Sequence, residues 1–148
     1  MDFGLEKYES IINEIDELCL SAVDEVVIGC PFKHEIDHDQ FIQMESIGLL
    51  QLVTARKNKK LVGFHASTII NDIFYKDKKT AFVLIYLLAK ECRGGGQGLK
   101  MFEYADNLFK EKNIDRSFMS RKIHINNEKM FNKLGYTKIE SNYEKYYE

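Results

Sequence analysis

The chain has 148 residues, 45% of them hydrophobic and 30% charged, with one proline, nine glycines and a net charge of −2. This is the composition of one folded domain around one core. No apolar run reaches the ~20 residues of a membrane span, the N-terminus MDFGLEKYES does not read as a signal peptide, and no Lys/Arg patch of the kind a nucleic-acid binder needs is present. Three scattered cysteines, Cys19, Cys30 and Cys92, form no CxxC pair, which points to reduced thiols in a cytoplasmic protein rather than to zinc or a disulfide framework.

Residues 5 to about 28 read as a helix, because Leu5, Tyr8, Ile12, Ile15, Cys19, Ala22 and Val26 recur at spacings of three and four. Gly29 and Pro31 stop it. A short helix is expected near Asp39–Ser46, ended by Gly48. Leu49–Ala55 reads as a strand, Lys57-Asn58-Lys59 as a turn, and Lys60 to about Ile70 as the second arm of a hairpin. Asn71–Lys79 is polar and loop-like. Thr80–Leu88, apolar on both faces, reads as a central buried strand. A helix follows from about Gly96 to Lys112, with Leu99, Phe102, Ala105 and Phe109 on one face and Asn113 as its cap. Asp115–Ile123 reads as a short strand. Asn127 caps a brief helix, Glu128–Leu134, ended by Gly135, and Tyr136–Tyr147 reads as a last strand or hairpin arm. The order gives a single α/β domain with a mixed central sheet flanked by helices on both faces.

Charge is unevenly spread. Residues 1–40 carry 11 acidic side chains against only Lys7 and Lys33, and the remainder is net basic. A basic part suits an anionic ligand and an acidic part a cationic one; solvated helix faces would give the same counts.

The segment Arg93-Gly94-Gly95-Gly96-Gln97-Gly98 lies between the buried strand and the amphipathic helix. Glycines there allow positive φ and close backbone approach. The unpaired amides and positive dipole end of the helix favour phosphate, and Arg93 offers a charge-assisted contact. A flexible turn would look similar. No Gly-Lys-Ser/Thr follows, so the loop is not a Walker A motif, and the third glycine of a dinucleotide fingerprint is missing.

Arg93-x-x-Gly96-x-Gly98 resembles the Arg/Gln-x-x-Gly-x-Gly/Ala loop of the GNAT acetyltransferases. Leu88-Ala89-Lys90-Glu91-Cys92-Arg93 stands where that family ends its fourth strand. Asn127 to Tyr136 resembles its late helix ending in Lys-x-Gly-Phe, and the ending Gly-Tyr…Glu…Tyr-x-Lys is similar to that of phage-encoded members. The resemblance implies acetyl-CoA as co-substrate, no metal, and direct acetyl transfer to a primary amine of a small molecule or a protein. It implies that backbone groups around Leu88, Ala89 and Lys90 hold the pantetheine arm. The amides of Gly94, Gly95, Gly96, Gln97, Gly98 and Leu99, with Arg93, would hold the pyrophosphate, and Asn127, Phe131 and Lys133 would border the cofactor. The acceptor would enter near the N-terminal helices and the strand 60–70, where the acidic excess suits a cation, in a monomer or homodimer.

The residues also depart from the family pattern. Phe131 stands where many members have a proton-donating tyrosine, residues 80–88 contain no carboxylate, and no opening strand is evident. His65, His124 and Tyr86 are the candidates for proton handling, with Glu45 as a further one. His has a suitable ordinary pKa, whereas tyrosine is a poor base near neutrality. His65 and Tyr86 also read as core residues, and His124 and Glu45 as surface ones. His34 and His38 have helical metal-pair spacing but no third ligand. The alternatives are a GNAT-like acyl-CoA-binding sensor or interaction module without turnover, and a generic phosphate or nucleotide binder.

Overall fold

The computed structural model describes every residue except Glu148. Asn58 and Lys59 sit at φ of 51° and 68°, the type I′ geometry that closes a two-residue hairpin with the native strand twist. It joins β2 (Leu50–Lys57) to β3 (Lys60–Asn71). β4 (Lys79–Leu88) pairs antiparallel with β3, and β5 (Arg116–Phe118) pairs parallel with β4. On the other edge β1 (Asp2–Leu5) pairs antiparallel with β2, so the sheet order is β1-β2-β3-β4-β5. Alternation along the strands sends side chains to two separate cores. On one face Leu52, Leu61, Phe64, Ala66 and Leu87 meet Ile15, Leu18, Cys19 and Ala22 of α1 (Ile12–Val26), with Phe41 and Ile42 of α2 (His38–Ser46) at the margin. On the other face Val53, Ala55, Val62 and Leu88 meet Met101, Phe102 and Ala105 of α3 (Gln97–Glu111) and Phe131 of α4 (Glu128–Lys133). Met101 and Phe102 are each 1% exposed, and burying a side chain of that size contributes about 1.5–3 kcal/mol.

Three elements differ from the sequence-based expectations. The helix expected from residue 5 begins at Ile12: residues 2–5 form the opening strand, and Tyr8–Ile11 is a 3-10 turn. Tyr8 and Ile11 fit a helical stripe because a three-residue period places them on the same side as Ile15 and Leu18. Arg56 fixes this junction by forking between the carboxylates of Glu6 (2.8 and 2.9 Å) and Glu14 (2.9 Å each). The strand expected over Asp115–Ile123 is only Arg116–Phe118. Within the described residues, 136–147 form no strand: the tail is held by side chains, with Asn142 donating to Ser120 Oγ at 2.9 Å and Tyr146 meeting Phe32 edge-on.

Candidate active site

β4 and β5 pair only over Thr80↔Arg116, Ala81↔Ser117 and Phe82↔Phe118, after which β5 ends and β4 runs on to Leu88. A bulge helps part them, since Ser67 pairs with Val83 and Ala66 with Ile85, leaving Leu84 unpaired. The result is a split in the sheet, with the edge of β4 from Val83 onward free of β5. The amide of Ala89 bonds the Val62 carbonyl at 2.8 Å. By the alternation of an antiparallel ladder, Leu87 and Ile85 also turn their backbone groups toward β3, and those of Tyr86 and Leu88 point into the split. The Leu88 carbonyl there accepts from Arg93 Nε at 2.8 Å.

At the end of this edge, beyond a 3-10 turn at Lys90–Cys92, the chain passes through Gly94, Gly95 and Gly96 at φ of 99°, 54° and 75°. Three successive left-handed residues reverse the chain into α3, whose cap is Gly96, and only glycine does this without strain. A Cβ on any of the three would meet nothing within 4 Å, so the backbone faces open space. No side chain caps the N-terminus of α3, and its first turn holds no acidic residue. Gln97 and Lys100 amides bond the carbonyls of Gly94 and Gly96, which leaves the Gly98 and Leu99 amides at the positive end of the helix dipole. Such an arrangement of amides at a helix N-terminus favours an anion. Gly98 serves differently: its φ is ordinary, and a Cβ there would lie 3.5 Å from Met130 Sδ of α4. That is ordinary van der Waals contact with room for a small side chain, and the expectation that positive φ requires glycine at 98 is corrected.

Arg93 does not reach freely toward the loop. Besides the Leu88 carbonyl, it pairs through Nη1 with the Glu25 carboxylate at the end of α1, and Lys90 Nζ lies 3.7 Å from the same group. The hydrogen bond from Arg93 holds the Glu25 carboxyl below its ordinary pKa. His124 Nε2 donates to the Glu25 carbonyl at 2.7 Å, so the segment before α4 is tied to the same helix end, where cations are favoured. Sequence reading missed Glu25. It is 68 residues from Arg93 and lies among many acids of α1, with no local signal.

The side chains of Tyr86, Asn127 and Phe131 do come together. Tyr86 Oη donates to the Ser120 carbonyl at 3.2 Å and accepts from Asn127 Nδ2 at 3.0 Å. Its ring meets Phe131 edge-on at 6.1 Å and Phe102 at 5.0 Å. Burial raises the Tyr86 pKa above its ordinary value, opposed by the Asn127 hydrogen bond. Asn127 Oδ1 is buried without a partner. Lys133, at the end of α4, is exposed.

His65 does not face α1 and α2, the expected acceptor side. Strand parity sends Phe64 and Ala66 toward α1 and His65 toward α3. There it is 0% exposed, edge-on to Phe102 at 4.9 Å, with Nδ1 3.3 Å from Ser67 Oγ and no partner on Nε2. Burial lowers its pKa to about 4, so it is neutral at pH 7. Glu45 is also occupied, accepting from the Tyr8 amide at 2.7 Å.

Two cavities lie off the glycine loop. One of about 1040 Å³ separates β5 from the tail and α4. Another of about 280 Å³ lies between the α1–α2 connection (Ile28, Cys30, Phe32) and Lys122, Glu144 and Tyr146. Among the described residues no group of three or more His, Cys, Asp or Glu side chains could hold a metal, and no helix is long and apolar enough to cross a membrane.

A comparison with curated proteins finds no sequence match. Solved structures share the fold at low identity. The ribosomal-protein-alanine N-acetyltransferase of Brucella melitensis biovar Abortus 2308 is 14% identical with a TM-score of 0.75, over 99% of this chain and 98% of that one. Glucosamine-6-phosphate N-acetyltransferase of Arabidopsis thaliana is 14% identical with a TM-score of 0.74, over 100% of both chains. A predicted acetyltransferase with acetyl-CoA from Clostridium acetobutylicum is 16% identical with a TM-score of 0.72, over 98% and 95%. The family model of the acetyltransferase (GNAT) family matches residues 14–136, and the chain therefore belongs to the GNAT acetyltransferase family.

Proposed function

We propose that this chain binds acetyl-CoA at the glycine loop and passes the acetyl group directly to a primary amine in a ternary complex. The observation that carries the reading is the run of three left-handed glycines that opens α3 beside the free edge of β4. In this reading the amides of Gly94, Gly95, Gly96, Gly98 and Leu99 hold the pyrophosphate, and the backbone groups of Tyr86 and Leu88 hold the pantetheine arm; the Gln97 and Ala89 amides, expected to take part, are already bonded to the carbonyls of Gly94 and Val62. Asn127, Phe131 and Lys133 border the cofactor. The amine enters from the α1–α2 side, near the 280 Å³ cavity, and the acid-rich first 40 residues favour a cationic acceptor.

The amine nitrogen attacks the thioester carbonyl, the C–S bond breaks, the ammonium proton goes to water, and the leaving sulfur takes a proton. Tyr86 is our candidate donor for that proton, because it stays protonated at neutral pH and its ring packs edge-on to Phe131, the ring that stands where many members have a tyrosine, with its hydroxyl on Asn127. Buried His65 is then a packing residue, and His124, bonded to the Glu25 carbonyl, ties the segment before α4 to α1. Three free cysteines fit a reducing cytoplasm. The second reading, a GNAT-fold acyl-CoA-binding module without turnover, is favoured by the absence of any carboxylate on β4.

Thiol release from acetyl-CoA across a panel of polyamines, hexosamine 6-phosphates and alanyl peptides separates the two. Amine-dependent release, with no acetyl adduct on Cys92 by intact mass when the amine is omitted, is the expected result. Tight acetyl-CoA binding with no release for any amine would favour the binding module, and a stoichiometric Cys92 adduct would overturn direct transfer.

A further inference from the structure

Glu25 is a carboxylate in a setting that suits a cation better than an acid. It sits in the last turn of α1, at the negative end of the helix dipole, and no basic residue shares that turn. Its cations come from elsewhere in the chain: Arg93 Nη1 donates to Oε1, and Lys90 Nζ lies 3.7 Å from Oε2. His124 bonds the Glu25 carbonyl, not its carboxylate. Oε2 is buried and accepts no hydrogen bond. A desolvated carboxylate oxygen of this kind calls for a close N–H donor that carries charge. Lys90 stands off, and its own side chain is 70% exposed.

We propose that Glu25 selects the acceptor: with the cofactor bound, its carboxylate takes the second ammonium of an aliphatic diamine or polyamine whose other amine is acetylated. This rests on the acetyl-transfer reading above and names its substrate class. Arg93 Nε occupies the Leu88 carbonyl, which that reading gives to the pantetheine arm. A pantetheine amide takes the carbonyl in its place, and the pyrophosphate, just beyond Arg93 in the chain, carries more charge than one carboxylate. Loading the cofactor therefore draws Arg93 off Glu25 and leaves the carboxylate at the rim of the split with only the distant Lys90.

Val27, two residues on, belongs to the wall of the 280 Å³ cavity by which the amine enters. That wall carries Lys33 and Lys122 against Glu35 and Glu144, so it does not itself select by charge. Tyr86, the candidate proton donor, lies two residues from Leu88, or about 7 Å along the strand. Two nitrogens joined by a short aliphatic chain span such a separation. A hexosamine phosphate would bring an anion to Glu25, and an alanyl peptide offers one ammonium only.

Calorimetric titration of putrescine and of n-butylamine into the CoA-saturated protein tests this without turnover. In the wild type putrescine should bind at least about tenfold more tightly than butylamine, and in Glu25→Gln the two should agree within about twofold. Glu25→Gln should also bind CoA about twofold to fivefold more tightly, because Arg93 no longer leaves an ion pair; loss of a merely structural contact would weaken CoA instead. Asp24→Asn, the exposed neighbouring acid, should change neither quantity. A wild type without the putrescine preference, a Glu25→Gln that keeps it, or a Glu25→Gln that binds CoA no more tightly would overturn the proposal. Thiol release from acetyl-CoA is read alongside. Putrescine selectivity without release would refute transfer and leave the role of Glu25 standing, release without selectivity would do the reverse, and a wild type that binds no CoA would remove both.

Discussion

Gly96 and Gly48 offer a matched pair for testing the phosphate cradle. Their φ angles are 75° and 74°, and a Cβ at either would meet nothing within 4 Å. A valine at either position is forced into the left-handed region at a cost of about 1–2 kcal/mol, which lowers Tm by about 2–8 °C in a domain of this size. The two variants should therefore lose similar stability. Only Gly96→Val places its side chain where the pyrophosphate would lie. Losing even one hydrogen bond to a charged group removes about 1.5–3 kcal/mol, so CoA and acetyl-CoA should both weaken at least tenfold or so. Gly48→Val should change neither by more than about twofold. The assay is calorimetric titration at low and high salt, with thermal denaturation of each variant. The Gly96 effect, being steric, should persist at high salt. If folded Gly96→Val binds CoA as the wild type does, or Gly48→Val loses binding equally, the loop is not the cradle.

Three further predictions concern side chains. The native state holds His65 neutral down to about pH 4, whereas the unfolded chain takes up the proton near pH 6.5. The stability associated with neutral burial is thus complete above about pH 6.5 and is lost as pH falls through 4, by roughly 3 kcal/mol in all; the drop in Tm between pH 7 and pH 5 should be smaller in His65→Leu than in the wild type. Arg93→Ala should weaken CoA binding modestly and in a salt-dependent way. Because Arg93 is paired with Glu25, a double-mutant cycle with Glu25→Ala should show coupling of about 1 kcal/mol or less at this half-exposed site. Tyr86→Phe should lower kcat about 10²-fold or more, the usual share of a general acid, while leaving the Kd for CoA within about twofold. An unchanged kcat would return Tyr86 to the core.

The loop, both hairpin strands and the central strand were legible because each has a strong local signature. Consecutive glycines stand out between a strand and a helix, and Thr80–Leu88 is continuously apolar, but its expected burial holds only near its ends: Phe82 and Leu84 are 38% and 47% exposed, and from Val83 onward the edge of β4 is free of β5. β1 was not legible, since a four-residue edge strand shows too little alternation and its pairing with Leu5↔Val53 lies across 48 residues. The face of His65 depended on strand register, which a sequence leaves open: shifting the parity by one residue would have moved it to the α1 side. The partnership of Arg93 with Glu25 is a product of tertiary contact alone. Tyr86, Asn127 and Phe131 were each singled out separately, and the fold supplies the hydrogen bond and ring contact that make them one group.

Amide NMR of the ¹⁵N-labelled protein during titration with CoA tests the central claim most directly. The account predicts that the largest shifts fall on Gly94–Leu99 and on Tyr86 and Leu88 in the split of the sheet, with acetyl-CoA reproducing the loop shifts and ATP failing to reproduce those in the split. Saturable CoA binding that leaves the loop amides unmoved would contradict it.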